Sequence, residues 1–172
     1  MTKRVIRTIL RKWRFYLLLL CCAGLLSCSK PLCLQQKIDV SRAGETVKFT
    51  FEIRKEWTYQ FAFLFATGEG YEEIERRFRF FGELEGGVII PVSLTLIKDG
   101  DIFLDEQLDT VGTGWGQTVF FEDRKINTAV RNIKILTLPV GKYSAVLKIQ
   151  ADVADFKGVE SFAELSFYNP KI

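Results

Sequence analysis

Residues 47–53 alternate apolar Val47, Phe49, Phe51 and Ile53 with Lys48, Thr50 and Glu52, and residues 57–65 repeat the pattern with Trp57, Tyr59, Phe61, Phe63 and Phe65. A period of two belongs to a pleated strand with one buried and one wet face, so this part of the chain can only be sheet. The two segments predict a hairpin turning at Lys55-Glu56. Further on, VSLTLIK and IFLDEQLD flank Asp99-Gly100, a dipeptide that tolerates positive φ and marks a tight hairpin. NIKILTL, YSAVLKIQADV and FAELSFY supply three more strands. Between two of them, Leu138-Pro139-Val140-Gly141-Lys142-Tyr143 places an aromatic directly after a turn. Immunoglobulin-like sandwiches have a tyrosine there whose hydroxyl bonds back to the corner. About seven short strands predict a mainly β protein, an immunoglobulin-like antiparallel β-sandwich.

Two stretches interrupt the alternation. In GEGYEEIERRFRFFGEL, Tyr71, Ile74, Phe78 and Phe81 recur at helical spacing, with acids first, arginines later and Gly82 at the end. This order suits the helix dipole and predicts one short helical excursion over 71–81, across an edge or end of the sandwich. In TVGTGWGQTVFFEDRKINTAVR, three glycines surround Trp115 and predict an irregular loop carrying a large aromatic.

The first sixteen residues carry six basic side chains and no acidic one, and a dozen apolar residues follow from Phe15 to Leu26. Such a run is too short for a bilayer core that needs about 20 residues, but suits a signal-peptide helix. It ends in Leu25-Leu26-Ser27-Cys28, which resembles the bacterial lipobox. That resemblance implies cleavage between Ser27 and Cys28 and acylation of Cys28, palmitate among the added chains. Two or more acyl chains hold a membrane stably, because each buried CH₂ contributes about 0.8 kcal/mol. The expected organisation is a signal peptide over 1–27, a tether over 28–36 and one β-sandwich domain over 37–172. Ser29 after the cysteine, in place of aspartate, implies sorting to the outer membrane, and the expected location is its periplasmic side.

Removal of residues 1–27 changes the charge. The complete chain has 24 basic and 21 acidic residues; from Cys28 onward 18 basic residues remain against all 21 acids, a net charge of −3. No charge argument for nucleic acid survives. Cys33 is then the one cysteine besides the anchor, a spare thiol in the tether, so the domain is expected to be stable without disulfides.

The chain contains no histidine. A Ser-His-Asp triad and a histidine metal site are therefore excluded, and the cysteines cannot form a zinc cluster. No glycine-rich phosphate loop is present. The carboxylate pairs Glu72/Glu75 and Asp101/Asp105 read as solvated charges, and Asp99-Gly100-Asp101 lacks the spacing and final glutamate of a calcium loop. The expectation is a non-enzymatic protein without cofactor or metal. For partner binding, Trp115 and the cluster Arg76, Arg77 and Arg79 stand out, since indole and guanidinium groups dominate binding hot spots. Their alternative roles are a lid over the sandwich and a solvated helix face.

IDVSRAGETVKFTFEI, Trp115-Gly116 and LPVGKYSAVLKI together resemble an uncharacterised family of small proteobacterial lipoproteins with a β-sandwich domain. The resemblance covers nearly the whole mature chain and brings no catalytic residues with it. In size, anchor and compartment, such lipoproteins resemble the periplasmic immunity proteins that block type VI secretion lipases. The implied function is a lipid-anchored protein-binding module, with a membrane and a protein as partners, that occludes a toxin. The alternative is a glycan-binding or structural envelope lipoprotein.

Overall fold

The computed structural model describes residues 31–82 and 86–168. The signal segment, its cleavage position at Ser27 and the anchor Cys28 lie outside the described residues. Nine strands make up the domain: β1 (Cys33–Lys37), β2 (Thr46–Ile53), β3 (Trp57–Ala66), β4 (Ile90–Lys98), β5 (Asp101–Thr110), β6 (Trp115–Phe121), β7 (Arg124–Leu138), β8 (Gly141–Ile149) and β9 (Ser161–Phe167). One helix, α1 (Tyr71–Phe81), follows β3, and a single 3₁₀ turn (Ala154–Phe156) precedes β9. The strands form two antiparallel sheets, ordered β1-β9-β3-β7-β6 and β2-β8-β4-β5. This is the expected β-sandwich with one short helix.

Several local expectations hold. Asp99 (φ 51°) and Gly100 (φ 104°) turn the β4–β5 hairpin. The Tyr143 hydroxyl donates to the Pro139 carbonyl at 2.8 Å, making the tyrosine corner, and the ring stacks on Phe51 at 5.3 Å. Gly82 ends α1 at φ 81°, with the Gly86 backbone packed where a Cβ would stand.

Three expectations fail, each for a physical reason. β2 and β3 do not pair: β2 lies beside β8, whereas β3 lies between β9 and β7. Ala62, Leu64 and Ala66 are buried along with Phe61, Phe63 and Phe65, so β3 is apolar and covered on both faces. A strand apolar on both faces gains most from the middle of a sheet. Secondly, the glycine-rich stretch is largely a hairpin, β6–β7, turned by Glu122 (φ 47°) and Asp123 (φ 61°). Both residues adopt the left-handed conformation without a glycine to announce it. Thirdly, residues 33–36, assigned to the tether, are strand: β1 pairs with β9 from Cys33↔Ser166 to Lys37↔Phe162.

The main core lies between the sheets, where Phe49, Ile53, Phe61, Phe63, Leu94 and Leu147 are almost wholly buried. A second cluster, Ala62, Leu64, Ala66, Val119, Ile126, Val130 and Phe162, fills the other face of the five-stranded sheet. That sheet curls until its two edge strands meet one carboxylate. Glu164 on β9, 3 % exposed, accepts at Oε2 from Gln35 of β1 (2.6 Å) and from Gln117 of β6 (3.1 Å). Its Oε1 accepts from Ser166 at 2.8 Å. The Cys33 thiol is 3.9 Å from the same Oε2. Although Cys33 as a residue is exposed, burial of its sulfur, followed by the Glu164 charge, pushes the thiol pKa up to about 11.

A bulge in the β3–β7 ladder between Phe61 and Ala62 resets the alternation of β7. Before it Arg131 faces Phe63, and after it Lys134 faces Phe61, so two cations enter the side that also holds the phenylalanines. Lys134 leaves the core through a 2.7 Å ion pair with Glu106 of β5, which ties the sheets together at their open edge. Arg131 stays, with no exposure. Its guanidinium donates to the carbonyls of Phe81 (2.7 Å), Val88 (2.8 Å), Gly112 (2.8 Å) and Thr110 (3.3 Å). The rings of Phe65 and Phe156 flank it at 5.2 and 5.3 Å. Burial lowers its pKa to about 10, so it remains a cation at neutral pH.

Replacing Arg131 by Leu strands three buried carbonyls and one part-buried, and the expected loss of stability is about 3 kcal/mol or more, read from urea denaturation midpoints. For Cys33, the raised pKa predicts alkylation at pH 8 on the order of 100-fold slower than an ordinary exposed thiol. Glu164→Gln should accelerate it several-fold, and an unchanged rate would refute the coupling between carboxylate and thiol.

Candidate functional site

At the end of the sandwich where β3 finishes, α1 and the residues after the 3₁₀ turn form a concave surface. Phe81 anchors the helix: it is fully buried and packs against Phe65 at 5.0 Å and Phe156 at 5.8 Å. Arg77 supplies the polar attachment, donating through Nη1 to the Ala66 carbonyl at 2.7 Å and through Nε to Glu73 at 2.8 Å. Arg76 reaches the other oxygen of Glu73 at 3.0 Å. The hydrogen bond from Arg77, then that from Arg76, holds the Glu73 carboxyl below the usual carboxylate range.

Between the helix and the following turn lies a groove of about 430 Å³, lined by Arg76, Arg77, Phe80, Phe81, Lys157, Gly158 and Val159. Its floor is apolar, from Phe80, Phe81 and Val159. Phe80 keeps 37 % of its surface exposed while its ring contacts Phe156 at 5.4 Å. The rim is cationic, from Arg76, Arg77 and Lys157. Arg76 and Arg77 share Glu73, so the rim keeps a net positive charge over the apolar floor. Among the described residues, no three His, Cys, Asp or Glu side chains converge as metal ligands.

The residues expected at a binding site divide. Arg76 and Arg77 do come together at the groove, but Arg77 spends its donors on the fold. Arg79 belongs to α1 and its side chain lies outside the described residues. Trp115 is not in a loop: its backbone opens β6 opposite Val130, and its side chain also lies outside the described residues. Tyr71, expected on the apolar helix stripe, is 80 % exposed. Lys157, Gly158 and Val159 went unseen, since no periodicity connects them with a helix about 75 positions earlier. The aromatic Phe156 beside a lysine and a glycine was the only available signal.

Residues 35–167 match the model of a family described as a domain of unknown function, DUF5625. The chain belongs to the DUF5625 family. Among solved structures, the DUF5625 domain is similar to a protein from Sulfurospirillum deleyianum, with a TM-score of 0.66 and 18 % identity over 83 % of this chain and 100 % of that one. At that identity the likeness concerns the fold. A family 35 carbohydrate binding module from Clostridium thermocellum matches at a TM-score of 0.35 and 12 % identity, over 77 % of this chain and 86 % of that one, too remote to carry an argument. No curated protein matches. A domain family of unknown function and a β-sandwich fold shared with a Sulfurospirillum protein are what these matches establish.

The two arginines at the groove should separate in their effects. Arg77→Ala removes the link to the Ala66 carbonyl and should cost about 1 kcal/mol, seen as faster amide exchange across α1. Arg76→Ala, which loses only an exposed pair, should leave the exchange pattern unchanged.

Proposed function

We propose that this DUF5625 protein is a lipid-anchored periplasmic lipoprotein whose sandwich is a non-catalytic protein-binding module, and that its form of action is that of an immunity protein occluding a secreted toxin such as a lipase. The observation that carries the binding reading is the groove beside α1, with its apolar floor and cationic rim of Arg76 and Lys157. Such a rim selects an acidic partner surface and speeds its encounter, and the exposed Phe80 offers the apolar contact that holds it. The anchoring reading rests on the order of basic segment, short apolar run and Leu25-Leu26-Ser27-Cys28. Occlusion needs no chemistry from this chain, only a rigid surface at the membrane.

The test is quantitative crosslinked capture by the full-length lipoprotein from its own cells, with toxin-delivering siblings present. One near-stoichiometric secreted hydrolase is expected, with recovery falling at least about tenfold for Arg76→Glu combined with Lys157→Glu and melting temperature nearly unchanged. Undiminished recovery by the double variant would remove the groove from the reading. Cys28→Ala should abolish labelling by a clickable palmitate analogue and leave the precursor uncleaved; unchanged labelling would remove the anchor.

A further inference from the structure

The end of the sandwich opposite the groove carries exposed apolar groups beside the point where the chain enters. There β1 begins: the Leu32 carbonyl accepts from Phe167 at 3.2 Å, and Tyr168 donates to Thr58 at 3.0 Å, so the chain enters beside the first residues of β3. The β2–β3 and β7–β8 turns and the tip of the β4–β5 hairpin lie at this same end, since Ile53 pairs with Gly141, Trp57 with Leu138 and Lys98 with Tyr143. Trp57 is 42 % exposed, with the Lys55 ammonium 4.8 Å from its ring on one side and the Phe167 ring 5.2 Å away. Val140 in the β7–β8 turn and Ile102 just past the hairpin tip are more exposed still, at 57 % and 72 %.

We infer that this end of the domain rests on the lipid bilayer, with the Trp57 indole at headgroup level and Val140 and Ile102 reaching the boundary of the acyl chains. The inference rests on the lipoprotein part of the proposed function. If the mature chain begins at Cys28, three residues separate the anchor from Leu32, and the four Cα-to-Cα steps between them span at most about 14 Å. The acyl chains thus hold this end, and no other, against the membrane. Its side chains suit that surface, because tryptophan partitions to the membrane–water interface while lysine carries an apolar stem and keeps its charge in the headgroups. Charges here balance: Arg54, Lys55, Lys98 and Lys142 stand near Glu52, Glu56, Asp99 and Asp101. Contact therefore depends on aromatic and apolar groups, and zwitterionic lipid suffices. With β3 ten residues long, the groove at the other end stands roughly 30 Å from the bilayer, open to a soluble partner.

The test uses full-length acylated protein reconstituted in phosphatidylcholine vesicles, with and without brominated acyl chains, read by tryptophan emission. Only Trp57 and Trp115 remain after signal cleavage. The expected result is loss of at least about a third of the wild-type emission in brominated vesicles, with little loss in Trp57→Phe. Trp115→Phe, which leaves Trp57 as the single emitter, should be quenched more strongly than wild type, and carries the test should the first variant fail to fold. Equal quenching of wild type and Trp57→Phe, or an unquenched Trp115→Phe, would overturn the orientation. Palmitate labelling of the same samples separates the two failures. Unlabelled protein removes the lipoprotein reading and the inference with it, whereas labelled but unquenched protein overturns the membrane contact alone.

Discussion

Arg131 is the interaction on which the irregular half of the molecule depends. Regular strands satisfy their own backbone groups, but the end of α1, the segment at Val88 and the turn from Thr110 to Gly112 leave carbonyls facing the core. Burying such groups without partners costs more than most apolar contacts return. One guanidinium serves all four, and the rings of Phe65 and Phe156 compensate part of the hydration it gives up. Phe65 and Phe156 also hold Phe81, so the same cluster places the helix that forms one wall of the groove. Through this arginine the position of the candidate site depends on β7, the neighbour of β3, from which the guanidinium reaches the end of α1.

The five-stranded sheet solves a second problem of the same kind. A central strand apolar on both faces requires cover on both, and the sandwich covers only one. Curling brings β6 round towards β1 and β9, buries Leu64 and Phe162, and closes the edges on the Glu164 carboxylate. Neutral amides and a serine hydroxyl, not a cation, solvate that carboxylate. Burial, and then the charge of this carboxylate, makes the Cys33 thiol a poor nucleophile.

The two ends of the sandwich differ in what they surround. One gathers Trp57, Phe167, Val140 and Ile102 around the point where β1 enters; the other has the cationic groove between α1 and the 3₁₀ turn. In the proposed function these become the membrane side and the partner side of an anchored domain. Strand β3 joins them, and both ends take their placement from its ladders with β7 and β9.

Much of the fold was legible wherever a local pattern had one physical solution. Alternation along 46–53 and 57–66, the Asp99-Gly100 turn, the Tyr143 corner and the Gly82 stop each follow from local sterics, hydrogen bonding or a single buried face. The hairpin at Glu122-Asp123 was not legible, because residues without glycine adopt positive φ only when flanking strands impose it. Strand β1 was missed because CLQQK has no apolar alternation; what it offers β9 is backbone and one glutamine for Glu164. By itself, then, the sequence determined an antiparallel sandwich with one helix, and a chemistry without histidine. Only tertiary structure decided which strands pair, that Arg131 is buried, and that Arg76 meets Lys157 across a groove. The reason is that pairing, burial and convergence depend on contacts between residues remote in sequence, and local periodicity carries no record of them.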